Sequence, residues 1–317
     1  MAFLGVMIEG QEDLTWERWL RIARVTEELG FESLWRSDHY HTLMGTEPRE
    51  ALETWTSLAV LGAQTDRLRF GPLVCSVTFR PPANVARMTA TVDRLSGGRF
   101  ALGLGAGWNE SEHHAFGLTF PPPRMRLEML DEQAAICRAL WTGEPVSFEG
   151  KHYRISGAVC LPTPRQSPMP LVIGGRGDRL LGIVAKHATE WNCHNLQPEI
   201  FAERNEVLGE TCKSLGRDPR EIARSWMGGF VIGRDGAEVA DRARALQGVF
   251  PRVAEMEPTA LAEMLRGNGW IVGTPEQAAE QLQVLARAGV ERFMLQHHVT
   301  DDVDVLSLIA REVAPAV

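Results

Sequence analysis

ALGLGAGWNESEHHAFG spans Ala101 to Gly117. It reads as a buried strand that runs into a glycine-rich turn and then into a polar segment crowded with Glu and His. Two α/β architectures place glycines at such a point. A dinucleotide-binding domain needs G-x-G-x-x-G after the first strand of a βαβ unit, with an acidic residue about 20 positions on. Here Gly103, Gly105 and Gly107 are spaced G-x-G-x-G, and Trp108 stands where the third glycine is needed. The stretch is also the fourth strand of the chain. Spacing and position both reject the dinucleotide fingerprint. In a parallel barrel, glycines at a strand's carboxyl end let the backbone approach a flat ligand. Taken alone, glycines that merely form a tight turn explain the stretch equally well.

Working outward, short apolar runs alternate with amphipathic segments. FLGVMI (Phe3 to Ile8) is a strand. A helical stripe through Trp16, Leu20, Ile22, Ala23, Val25 and Leu29 follows, with Gly30 at the stop position. FESLWRS, LRFGPLVCSV and RFALGLG are the next strands, separated by the helices ETWTSLAVLGAQT and PPANVARMTATVDRLSGG. The rhythm breaks at about 143–169, where Gly, Pro and alternating residues predict a hairpin-like insertion. MPLVIGG, TEWNCH, IARSWMGGFVIG and RFMLQ supply strands five to eight. The charged segment 235–268 reads as helical and is a candidate lid. The helix TPEQAAEQLQVLARAGV has Thr274 as N-cap, Pro275 at the first position and Gln277 at the third. Eight β-α units predict a (β/α)8 TIM barrel with insertions, in one domain over 1–317.

Composition sets further bounds. The chain has 317 residues, 44% hydrophobic and 23% charged, with a net charge of −8. That balance suits a globular domain and disfavours nucleic-acid or anionic-membrane partners. The five cysteines (Cys75, Cys137, Cys160, Cys193, Cys212) contain no C-x-x-C pair and are odd in number, so reduced thiols in a cytoplasmic protein are expected. No apolar run reaches the about 18 residues of a membrane span, and no basic leader precedes the first strand.

The strand ends gather polar residues. Asp38, His39 and His41 follow strand two, and Cys75-Ser76 ends strand three. Gly174-Gly175-Arg176-Gly177 leads into a helix N-terminus, a place where free N–H groups and an arginine bind phosphate. The H-x-H step of His39 and His41 is also found in metal-dependent hydrolase barrels. Those barrels need further ligands on later strands, and strand five ends here in glycines and Arg, so no metal is expected. His113-His114 and His297-His298 are adjacent pairs whose rings point apart, a poor arrangement for one metal.

The chain resembles the luciferase-like monooxygenase superfamily over nearly all its length. The matching pieces are ELGFESLWRSDHYH, TDRLRFGPLV, RMTATVDRLSGGRFALGLGAGWNESEHHAFG, RALWTGEPVSFEGKHYRI, PLVIGGRGDRLLGIVAKHATEWN and VGTPEQAAEQL. SDHYH and GAGWNESEH are similar to the branch that uses coenzyme F420, a deazaflavin; members that use FMN share much of both. The resemblance implies a planar ring at the barrel mouth. Asp38 matches an aspartate touching that ring, and His39 the histidine beside the reactive carbon, as acid/base or stabiliser. Cys75-Ser76 matches a non-proline cis step, with Ser76 a polar contact. Ala106 and Gly107 match the backbone behind the ring, Ser111 a contact to the tail, and Gly174, Gly175, Arg176 and Gly177 the phosphate loop. Trp108 and Glu9 are assigned to the substrate pocket. Sugar-phosphate dehydrogenases of this group carry a catalytic glutamate where this chain has Trp108, which offers an apolar wall instead.

The resemblance thus implies an F420-dependent oxidoreductase moving hydride between the deazaflavin and a small organic substrate. A deazaflavin reacts poorly with oxygen, which favours dehydrogenase or reductase work. An FMNH2-dependent monooxygenase and a flavin- or deazaflavin-binding protein without turnover are the alternatives. A homodimer is the family expectation.

Overall fold

Strand and helix alternate along the chain in the computed structural model, which describes residues 2–45 and 48–317. The first stretch holds β1 (Phe3–Ile8), α1 (Trp16–Glu28), β2 (Ser33–Arg36), α2 (Thr54–Gln64), β3 (Arg69–Pro72), β4 (Cys75–Ser76), α3 (Pro82–Leu95) and β5 (Leu102–Gly105). Then come α4 (Glu110–Ala115), α5 (Pro123–Leu140), β6 (Val146–Glu149), β7 (Arg154–Ala158), β8 (Leu171–Gly174), α6 (Asp178–His187), β9 (Glu190–His194) and α7 (Pro198–Ser214). The last stretch is β10 (Ala223–Ile232), α8 (Gly236–Gln247), α9 (Pro258–Gly267), β11 (Ile271–Gly273), α10 (Pro275–Arg287), β12 (Arg292–Gln296) and α11 (Asp304–Leu308). No helix among the described residues is long and apolar enough to cross a membrane. All five cysteines are buried free thiols.

The chain forms two compact units, each discontinuous in sequence. The first comprises Met1–Leu52, Asn192–Glu206 and Arg224–Val317. Its strands are parallel: β1 lies between β2 and β12, and β12 pairs onward with β10, which pairs with β11. Met7 sits opposite Gln296, and Gln296 opposite Gly229, so the carboxyl ends of these strands line up. Thr15 caps α1, whose buried face carries Trp19, Ile22, Ala23 and Thr26, and Gly30 ends it with φ of 81°. The segment 235–268 is helical, as expected. Its helices α8 and α9 bury Val239, Ala243, Leu246, Leu261 and Ala262 against Val231 and Val272 of β10 and β11. β11 was not foreseen; three residues are too few to show a period. The predicted N-cap of α10 is present as a full capping box between Thr274 and Gln277.

The second unit comprises Glu53–Trp191 and Val207–Ala223. Here β5 lies between β4 and β8, all parallel. The expected insertion is an antiparallel hairpin of β6 and β7. The Glu132 carboxylate on α5 accepts backbone N–H groups of Lys151, His152 and Tyr153, which ties the hairpin's turn to the helix. Buried Asp93 does the same for Arg165 and Gln166 at the insertion's end. The expected third strand is broken in two. The resemblance put a cis step at Cys75-Ser76; the cis bond lies instead at Leu73-Val74. Cys75 and Ser76 are held extended because they pair with Leu104 and Gly105, so the bend falls before them.

Three of the four glycines of the deciding stretch have a packing reason. A Cβ on Gly103 would lie 2.1 Å from the Pro72 carbonyl oxygen. At Gly105 it would lie 2.5 Å from a Val74 methyl. Gly107 has φ of 77°, and its Cβ would meet the Ser76 hydroxyl at 2.4 Å. The β3–β4 segment therefore presses on β5 along its whole length.

Candidate active site

In the first unit the strand ends carry a connected polar cluster. Glu9 directly follows β1 and is buried. Gln11 donates to one carboxylate oxygen at 2.8 Å, and the Gln296 amide donates to the other. Gln11 in turn accepts from the Ser37 hydroxyl at 2.6 Å, and Ser37 accepts from the Gly10 N–H at 2.9 Å. Burial alone would raise the pKa of Glu9. The bonds from Gln11 and Gln296, with His39 nearby, outweigh it and hold the carboxyl ionised, below its usual range. Asp38 is only 2% exposed, and His39 beside it is half-buried. These three predicted residues, Glu9, Asp38 and His39, thus share one end of one unit.

Two further histidines belong to this end. His194, the last residue of β9, is exposed at its surface, with protein close enough to desolvate its ring. That desolvation lowers its pKa, against the bond with Gln296 and the charge of Glu9. His298, beyond β12, is held neutral: burial lowers its pKa to about 4. His297 is also pushed to about 4 by burial, and stacks on Phe230. Sequence reasoning noted the His297-His298 pair only as a weak metal site and passed over His194 and Gln296. A signal was present, since both residues close apolar strands where chemistry gathers.

The second unit contributes the remaining predicted residues. Ser76 at the end of β4 shares a 2.6 Å hydrogen bond with Thr78. Thr78 is 2.5 Å from His113 Nε2, and His113 Nδ1 is 2.6 Å from the Asn109 carbonyl oxygen. His113 lies between Phe79 and Phe120. Cys75 is fully buried, and its sulfur accepts from Arg80 at 3.5 Å. Ala106 and Gly107 are half-buried at the tip of β5, and Trp108 is 68% exposed. Asn109 caps α4 by accepting from the Ser111 N–H, and its side-chain oxygen also accepts the Ser111 hydroxyl at 2.8 Å.

The expected phosphate loop lies between β8 and α6. Gly175 has φ of 135°, which favours glycine. Gly177 is the N-cap of α6 and supplies no side-chain cap to its first turn. Arg176 and Arg179 are exposed on either side of Asp178. Among the described residues no group of three His, Cys, Asp or Glu is arranged to hold a metal ion.

A family model described as luciferase-like monooxygenase matches residues 2–292. The chain belongs to the luciferase-like monooxygenase family. An F420-dependent hydroxymycolic acid dehydrogenase of Mycobacterium tuberculosis is 28% identical over 311 residues, covering 94% of this chain and 83% of the relative. A pyrimidine monooxygenase, RutA, of Stutzerimonas stutzeri is 28% identical over 268 residues, 77% of this chain and 73% of the relative. Among solved structures, an F420-dependent secondary alcohol dehydrogenase in complex with an F420-acetone adduct matches with a TM-score of 0.83. It is 20% identical and covers 99% of this chain and 98% of that one. The fold is therefore the α/β (β/α)8 barrel with insertions expected from the sequence. The family's oxidoreductases include F420-dependent dehydrogenases and monooxygenases.

Proposed function

We propose that this protein is an F420-dependent oxidoreductase that exchanges hydride between the deazaflavin and an organic substrate. The observation that carries the reading is the arginine-flanked N-terminus of α6, with a glycine as its N-cap after two further glycines. It suits the anionic tail of such a coenzyme. Likeness to an F420-dependent dehydrogenase over 94% of the chain supports the choice of coenzyme. The strand-tip turn at Gly107 suits a flat ring, because no Cβ stands between ligand and peptide group.

When bound, the deazaflavin supplies a carbon that accepts or donates hydride. Gly174, Gly175, Arg176 and Gly177 hold its tail phosphate, with Ser111 a polar contact beside them. Asp38, Cys75, Ser76, Ala106 and Gly107 position the ring. His39 takes or gives the proton through its imidazole, in the role that histidine fills near neutral pH. Glu9 keeps a negative charge within electrostatic reach of His39. Trp108 offers an apolar wall to the substrate.

A reduced-FMN monooxygenase is the second reading, favoured by the pyrimidine monooxygenase relative. Titration of the purified protein with F420 and with FMN, followed by cofactor fluorescence, separates the two. Tighter binding of F420 is the expected result. Binding of FMN alone would move the assignment to the monooxygenase, and binding of neither would remove both.

A further inference from the structure

Several polar atoms at the ends of β9 and β12 have no role in the reading above. Asn195 Oδ1 and both ring nitrogens of His298 are buried without a hydrogen-bond partner. His298 is 8% exposed and stacks on Trp270, with ring centroids 5.1 Å apart and planes at 18°. A Cβ on Gly229 would lie 2.4 Å from the Trp270 indole, so this glycine of β10 makes room for the stack. Buried polar groups left unpaired cost stability unless a ligand or water meets them.

The neighbouring bonds settle which hydrogen points where. Ionised Glu9 only accepts, so Gln296 must turn its NH2 toward Glu9 and its oxygen toward His194. That oxygen also only accepts, and it lies 3.4 Å from His194 Nε2. Nε2 therefore carries the ring hydrogen, and neutral His194 is left with a bare Nδ1. Glu9 and Gln296 act here as positioning residues.

We propose that these strand ends recognise the substrate. His194 Nδ1 accepts a hydrogen bond from a hydroxyl of an organic molecule that carries no negative charge, whose apolar part packs on the His298–Trp270 stack. An anionic group is repelled by the ionised Glu9 carboxylate. The proposal rests on the oxidoreductase reading for the word substrate, but its test needs no coenzyme.

The test is long-range 1H–15N NMR on the full chain labelled at histidine nitrogens, without coenzyme, near pH 7.5. His194 is expected as the Nε2–H tautomer. Cyclohexanol or 2-decanol should shift its Nδ1 resonance, while cyclohexanecarboxylate binds at least tenfold more weakly. Gln296→Leu should mix the two tautomers with the far-UV circular dichroism unchanged. His194→Phe should weaken alcohol binding at least fivefold, read at the His298 resonances. An Nδ1–H tautomer, a protonated His194, no alcohol binding, or equal binding of the carboxylate would overturn the proposal. Failure to bind F420 or FMN would instead overturn the oxidoreductase reading and leave the tautomer and alcohol results standing.

Discussion

His113 Nε2 lies 2.5 Å from the Thr78 hydroxyl, and the direction of that bond is decided on the other side of the ring. The Asn109 carbonyl, 2.6 Å from Nδ1, only accepts, so Nδ1 carries the hydrogen. In the neutral ring Nε2 then accepts from Thr78, and Thr78 accepts from Ser76. Ser76 is left facing Gly107 with lone pairs only. A ligand at this turn must offer Ser76 a donor. Thr78→Val frees the Ser76 hydrogen to rotate, and F420 binding should weaken about fivefold, the worth of one hydrogen bond of roughly 1 kcal/mol. Ser76→Ala should cost about as much, and the double variant little more. Fluorescence titration of the three variants checks this; an unchanged affinity for Thr78→Val removes the relay.

His39→Ala should slow turnover at least about tenfold, the lower range for a lost acid/base group, while coenzyme affinity holds within about twofold. Steady-state rates with parallel coenzyme titration separate the two effects. Equal loss of rate and affinity would make His39 a binding residue, and an unchanged rate would remove it from the chemistry.

Much of this was legible in the sequence because burial writes a local period. The bounds of β1 match FLGVMI, and Thr274, Pro275 and Gln277 announce the start of α10. The G-x-G-x-G spacing excluded a dinucleotide fold, yet did not reveal why Gly103 is glycine. That reason is the Pro72 carbonyl, which belongs to another strand. Partners across the fold leave no period. The bonds joining Glu9 to Gln296 and Thr78 to His113 bridge 287 and 35 positions, so the cluster and the relay were invisible. The break between β3 and β4 was missed for a related reason, since apolar residues continue through the bend.

Gly103→Ala gives the packing account a direct check. The new methyl would sit 2.1 Å from backbone, which cannot move as a side chain tip does. Destabilisation above about 2 kcal/mol is expected, in the range of overpacked cores. Gly182 in α6 has nothing within 4 Å of its Cβ position. Gly182→Ala should stabilise by about 0.5–1 kcal/mol through helix propensity. Urea unfolding of both variants reads the contrast, and similar midpoints would contradict it.

Arg176→Glu tests the tail site. It puts a second acid beside Asp178 at the α6 N-terminus, where the helix dipole otherwise favours an anion. Coenzyme affinity should fall about tenfold or more at low salt, and the gap should narrow as salt screens the exposed charge. Tight binding by this variant would place the phosphate elsewhere.

Acid stability should report the two buried histidines after β12. His297 and His298 are both pushed down to about 4 by burial, while an unfolded histidine takes its proton at about 6.5. Between those values the unfolded chain holds more protons than the folded one, so stability is lost as pH falls. The slope is up to about 1.4 kcal/mol per pH unit for each ring. Asp131 acts in a different window. Its bond with His187 outweighs its burial and, with Lys186, brings its pKa to about 2, so its contribution is lost only below about pH 4. Urea midpoints should therefore be level above about pH 7.5 and decline from about 6.5 to 4. His298→Phe keeps an aromatic ring against Trp270 but has no proton to bind, so its decline should be about half as steep. A wild-type slope in that variant would mean that His298 takes up its proton as readily folded as unfolded.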